Sequence, residues 1–114
     1  SEGFNVAQDG AIVGVDISTE AVAFTVDLPG LENCDGLAVS PSGKRAAVAC
    51  QGLYDVNADA WDVAKSDVAV LDLSTTPPTV ARRLQLPAAL GAAVQQGVAF
   101  ATEDTLLIKA HSAG

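Results

Sequence analysis

The chain repeats itself, and that repeat limits its fold more than any other feature. Residues 11–17 (AIVGVDI) end on Asp16-Ile17-Ser18, turn through Ser18-Thr19-Glu20 and lead into 21–28 (AVAFTVDL), which Pro29-Gly30 stops. The period-two rule predicts that Val22, Phe24, Val26 and Leu28 share one face of the second strand. The pattern returns at 67–73 (DVAVLDL), which ends on Asp72-Leu73-Ser74. The turn Thr75-Thr76-Pro77-Pro78 follows, then 79–86 (TVARRLQL), stopped by Pro87. A second kind of hairpin also occurs twice. Gly36-Leu37-Ala38-Val39-Ser40 joins 44–51 through Pro41-Ser42-Gly43, where Pro presets φ and Gly completes the turn. Its partner is Gly97-Val98-Ala99-Phe100-Ala101, the turn Thr102-Glu103-Asp104 and the strand 105–110.

Matching Asp16 to Asp72 gives an offset of 56, and matching Gly36 to Gly97 gives 61. Both exceed the roughly 40–50 residues of a propeller blade, and a polar insertion at 52–66 accounts for the surplus. Repeated hairpins without helical periodicity predict an all-β fold of stacked antiparallel sheets, a partial β-propeller with four-stranded blades. A β-sandwich is the alternative. The composition agrees: 49% of residues are hydrophobic, mostly Ala and Val, with one Trp, one Tyr and three Phe. Small side chains suit closely stacked sheets better than a helical bundle.

The unit Gly36-Leu37-Ala38-Val39-Ser40-Pro41-Ser42-Gly43-Lys44, then Val48-Ala49, then Val68-Ala69-Val70-Leu71-Asp72-Leu73-Ser74, resembles the YVTN-repeat propellers of secreted bacterial proteins. The likeness runs through nearly all the chain from about residue 11 and is weaker in the second copy, where Ala101-Thr102-Glu103-Asp104 replaces Ser-Pro-Ser-Gly. It implies a blade running from an inner to an outer strand over 36–86, with the insertion 52–66 between its second and third strands. Residues 1–28 then supply the end of a preceding blade, with 3–7 as the last part of an earlier strand, and 97–110 supply the first two strands of the next. A closed ring needs at least four blades, and about two and a half are present. The expectation is therefore a fragment whose remaining blades lie elsewhere in the same protein, or else a ring completed by other chains. The family serves enzymes and binding proteins alike, so the likeness carries fold further than function.

Cys34 and Cys50 are the two cysteines, and they flank the Ser42 turn almost symmetrically. In an antiparallel pair turning there, positions whose numbers total about 84 face each other, as 34 and 50 do. A disulfide is expected, worth about 3 kcal/mol in loop-closure entropy, with two buried thiols as the alternative. A disulfide implies an oxidising compartment: periplasmic, cell-surface or secreted. No basic start and apolar stretch marks an export signal, so any such signal is expected to have been removed.

The insertion reads Tyr54-Asp55-Val56-Asn57-Ala58-Asp59-Ala60-Trp61-Asp62. Asp55, Asn57 and Asp59 place oxygen donors at alternate positions, as a Ca²⁺ loop begins, with Asp62 or Asp67 as further donors. Ala60 and Ser66 stand where that loop wants Gly and Glu, and a polar loop whose Asp and Asn make turns is the competing reading. Tyr54 and Trp61 are candidates for a binding surface, unless Trp61 folds back on its own loop. No catalytic residues are assigned. His111 lies near the end without a paired nucleophile, Ser40, Ser42 and Ser74 occupy turns, and Glu103-Asp104 reads as a hairpin tip.

Net charge is −8, with six scattered basic residues, which argues against nucleic acid. No apolar run reaches the ~18 residues of a membrane span. The expected function is a binding or structural module of an exported propeller that presents 52–66 to a protein partner or cell surface. The alternatives are a piece of a propeller enzyme, hydrolase or quinoprotein-dehydrogenase-like, with its active site elsewhere, and a subunit that assembles itself into a ring or filament.

Overall fold

A computed structural model describes residues 9–110; the expected strand remnant at 3–7 and His111 lie outside the described residues. In chain order the elements are β1 (Gly10–Asp16), β2 (Ala21–Leu28), β3 (Cys34–Val39), β4 (Arg45–Cys50), β5 (Tyr54–Asp55) and β6 (Ala60–Trp61). A 3-10 turn at Val63–Lys65 precedes β7 (Asp67–Asp72) and β8 (Thr79–Arg83), and then come α1 (Leu86–Leu90), β9 (Val94–Thr102) and β10 (Thr105–Ala110). Every strand pairing is antiparallel. The central sheet runs β3-β4-β7-β8, and β1-β2, β9-β10 and β5-β6 are separate hairpins. The all-β expectation is met.

The repeated Asp-x-Ser is a turn device. Asp16 accepts hydrogen bonds from the Ser18 N–H (2.9 Å) and hydroxyl (2.7 Å), and Asp72 accepts the same pair from Ser74 (2.8 and 2.5 Å). A carboxylate holding two local donors reverses the chain without a backbone ladder. The Ser18 and Ser74 hydroxyls, followed by backbone N–H groups, hold both carboxyls below their ordinary value.

The hairpins also repeat in detail. β1-β2 breaks register between Gly14 and Val15, and β7-β8 breaks it between Val70 and Leu71, at the same place in the repeat. β1-β2 is thus a second copy of β7-β8. By the same logic β9-β10, irregular around Gly97, copies β3-β4, irregular at Gly36.

The two middle strands of the central sheet, β4 and β7, are covered on both faces. On one, Val48, Cys50, Ala69 and Leu71 pack against Val26, Leu28 and Leu31, with Ile12 and Phe24 alongside. On the other, Ala47, Ala49 and Val68 pack with Val94, Val98, Phe100, Leu106 and Ile108. Such double burial explains why β4 and β7 read as continuous apolar runs and not as alternation. Ala46, Ala47, Ala49 and Ala69 are almost wholly buried, and their small side chains let neighbouring sheets approach. The three-layer stack is flat, 46 × 37 × 17 Å. Its radius of gyration, 14.8 Å, exceeds the roughly 13 Å of a sphere-like domain of this length.

The expected strand 79–86 stops early, at Arg83. The buried Asp67 carboxylate accepts the N–H groups of Val68 (2.8 Å), Gln85 (3.0 Å) and Leu86 (3.1 Å), and Arg83 Nε lies 3.7 Å away. These bonds pull the chain out of the sheet and into α1, whose first turn carries Pro87.

Candidate functional site

Three features could carry function: the stapled start of β3, the seam between β3 and β9, and the insertion. Each grows from a short stretch of sequence.

Cys34 and Cys50 form a disulfide, as the spacing predicts, and they face each other as paired residues of β3 and β4. The register that achieves this is not uniform. From Val39↔Ala46 through Leu37↔Val48 the hairpin runs one residue out of step with Cys34↔Cys50. A bulge at Gly36 takes up the extra residue, and without it Cys34 would oppose Gln51 and the sulfurs would fall on opposite faces. Gly36 adopts φ +83°, which an L side chain resists.

Gly36 also meets its own repeat counterpart. A Cβ placed on it would lie 2.7 Å from the Gly97 Cα and 2.8 Å from the Gly97 N. The backbones of β3 and β9 therefore touch where the two copies match. A second matched pair meets one turn away. Glu103, the counterpart of Ser42, accepts the Ser42 N–H and hydroxyl, both at 2.9 Å. Arg45 closes the cluster, with Nε 3.2 Å from Glu103 and a terminal nitrogen 2.7 Å from Asp104 and bonded to the Glu103 carbonyl. The Ser42 backbone N–H, with further hydroxyl and Arg45 bonds, lowers the Glu103 carboxyl from 4.5 to about 2. Asp104 and Glu103 in turn raise the Arg45 guanidinium above its ordinary value. The sequence suggested only a hairpin tip here. The one signal for more was that the second copy departs from Ser-Pro-Ser-Gly at these positions.

The insertion has two parts. Its ends are stitched to the linker between the first two sheets: Gly52 N donates to the Glu32 carbonyl (2.9 Å), Glu32 N donates to the Lys65 carbonyl (3.1 Å), and Lys65 Nζ reaches the buried Glu32 carboxylate at 3.0 Å. Between them β5-β6 forms a small hairpin, closed at its base by Asp62 N to the Leu53 carbonyl (2.7 Å). Leu53, Tyr54 and Val56 are exposed on it and belong to neither core. Trp61 stands opposite Tyr54 in the β5-β6 register.

The candidate cation donors have local duties. Asp55 accepts the N–H groups of Asn57 (2.9 Å) and Ala58 (3.2 Å). Asp59 accepts the Tyr54 hydroxyl, and Asp62 caps the 3-10 turn through Ala64 N (3.2 Å). Among the described residues, no three His, Cys, Asp or Glu side chains gather as a metal site.

A groove of about 430 Å³ opens beside β9-β10, lined by Val70, Leu84, Leu86, Phe100, Leu106 and Ile108 among others. It lies over the β7-β8 half of the central sheet, where the third sheet has only two strands. No helix among the described residues is long and apolar enough to cross a membrane.

Family models, curated proteins and solved structures gave no match to this chain.

Proposed function

We propose that this chain is a structural and binding module of β-propeller type, exported from the cell, whose stacked sheets hold the β5-β6 hairpin out toward a protein partner or cell surface. The observation behind this reading is contact between repeat-equivalent positions, Gly36 with Gly97 and Ser42 with Glu103. Copies related by a rotation about a common axis meet in this way along their inner strands, whereas a sandwich has no reason to bring matched residues together. The Cys34–Cys50 disulfide favours an oxidising compartment. The hairpin supports the binding role because its exposed Tyr54 and Val56 contribute to neither core.

Excising the hairpin tests this directly. Leu53 and Asp62 are already bonded, so replacing 54–61 with Asn-Gly closes the gap. The shortened chain is expected to keep its disulfide and melting temperature but lose adhesion of the labelled protein to the cells that export it. A collapse of the melting transition would make the hairpin a brace and sink the reading, and so would unchanged adhesion.

A further inference from the structure

We infer that the Cys34–Cys50 disulfide is a redox latch: a dithiol opens it in the folded protein and so frees the linker 32–35 from the two ends of the insertion. This adds regulation to the hairpin proposed above as the presented element, and rests on that reading for what the release serves. The disulfide stands where two connections enter the central sheet. Cys34 opens β3, straight after the linker from the first sheet, and Cys50 closes β4, straight before the insertion. Beyond it the two connections are laced together by non-covalent bonds alone. Gln51 N donates to the Asn33 carbonyl (3.1 Å), Gly52 N to the Glu32 carbonyl (2.9 Å) and Glu32 N to the Lys65 carbonyl (3.1 Å). Lys65 Nζ meets the Glu32 carboxylate at 3.0 Å, and Asn33 bonds through its side chain to Gln51 (3.4 Å) and to Gln96 of β9 (3.1 Å). Each such bond adds little net stability, and ordering each residue costs a comparable amount, so the covalent tie decides whether the lacing holds.

The two sulfurs are unequally placed. Cys50 is fully buried in the first core, whereas Cys34 is half-buried. A thiolate of the dithiol therefore attacks Cys34 Sγ, and the S–S bond breaks with its electron pair leaving on Cys50 Sγ, which takes a proton. The second thiolate attacks the dithiol's own sulfur in the mixed disulfide and expels the Cys34 thiolate, which is protonated in turn. The dithiol ends oxidised to a disulfide and the two cysteines end as thiols. Their sulfurs can no longer stay at bonding distance, and the packing sets how they part. Cys50 is enclosed, and β1 blocks Cys34 on one side, since a Cβ placed on Gly10 would lie 2.5 Å from Cys34 Sγ. Cys34 thus lifts from β4 together with its backbone. The bulge at Gly36 keeps this movement local. Only Cys34↔Cys50 and Asp35↔Ala49 lie on the linker side of it, while the pairs from Leu37↔Val48 to the turn keep their own register. Glu32 and Asn33 then leave Gly52, Lys65 and Gln51, and the insertion loses its hold on the linker.

The test uses dithiothreitol on the unaltered protein, with amide exchange as the readout. Reduction without denaturant is expected to leave the protein folded, and the amides of Glu32, Gln51 and Gly52 should then exchange about tenfold faster. Those of Ser40 and Leu73, bonded to the Arg45 and Lys44 carbonyls at the other end of the central sheet, should change by less than about twofold. Reoxidation should restore the slow rates. Brief treatment with a monothiol should leave its mixed disulfide on Cys34, as peptide mass mapping would show. A disulfide that resists dithiothreitol until the chain unfolds overturns the proposal. So do amides that quicken equally at both ends of the sheet, and a mixed disulfide found on Cys50 instead. Exchange is measured without a partner, so the latch and the hairpin's role fail separately. Amides that quicken on reduction, in a protein whose adhesion survives excision of 54–61, keep the latch and discard the presenting role.

Discussion

Replacing Gly36 with Ala probes the seam on which the stacking depends. The substitution meets two obstacles, and Gly43 separates them. Gly43 has nearly the same backbone angle, φ +78° against +83°, yet a Cβ there meets nothing within 4 Å. G43A therefore reports the conformational cost alone, about 1–2 kcal/mol for an L residue in the left-handed region. G36A adds a Cβ at 2.7 Å from the Gly97 backbone, which cannot swing aside as a long side chain does. Forced overpacking of this kind adds about 1–3 kcal/mol, for a total of about 2–5. At roughly 4 °C per kcal/mol, the melting temperature falls by about 8–20 °C in G36A and by about 4–8 °C in G43A. Urea unfolding followed by circular dichroism, with the disulfide intact, gives both values on one scale. Equal losses in the two variants, within about 0.5 kcal/mol, would refute contact between β3 and β9, because that contact must add to the conformational cost the two sites share.

Replacing Cys34 and Cys50 together with Ala should cost about 3 kcal/mol, set by the 16-residue separation. Wild type in reductant should melt close to the double variant, and a wild type indifferent to reductant would contradict a structural staple. Acid should weaken the fold through Glu103. Its carboxyl is harder to protonate folded than unfolded, so its stabilisation is full above pH 4.5 and disappears as pH falls toward about 2. Asp16 and Asp72, lowered for a similar reason, act in the same direction. E103Q should flatten that part of the stability–pH curve, which urea midpoints between pH 6 and 2 would show. Millimolar Ca²⁺ should move the melting temperature by less than about 1 °C, because Asp55, Asp59 and Asp62 already serve turns and a hydroxyl. A rise of several degrees would establish a cation site in the insertion.

The strands were legible where local chemistry sets them. β2 spans the expected 21–28, and the Asp-x-Ser turns mark the ends of β1 and β7, because both depend on neighbours in sequence. The disulfide was legible for a partly fortunate reason: a hairpin centred on Ser42 pairs Cys34 with Cys50, whereas the strands near the turn run one residue out of step and only the bulge at Gly36 restores that pairing. What stayed hidden was long-range. β8 ends at Arg83 because Asp67, at the start of another strand, captures Gln85 and Leu86. Likewise Glu103 looked like a solvated tip, since its partners lie about sixty residues away in another copy of the repeat. Within the insertion, residue types suggested oxygen ligands, and the backbone instead used those oxygens to shape a hairpin.

The seam between Ser42, Arg45 and Glu103 bears on how such a chain avoids folding out of order. Were the copies identical, any unit could dock on any other, and misassembly between neighbours is the characteristic failure of repeated architectures. Here the second copy has traded the small turn residues of the first for two acids, and the first presents the hydroxyl and guanidinium that receive them. Divergence at matched positions gives this junction an address: a Ser-Pro-Ser-Gly turn in place of Glu103 and Asp104 leaves Arg45 without its anion. The junction is held by residues that the two copies do not share.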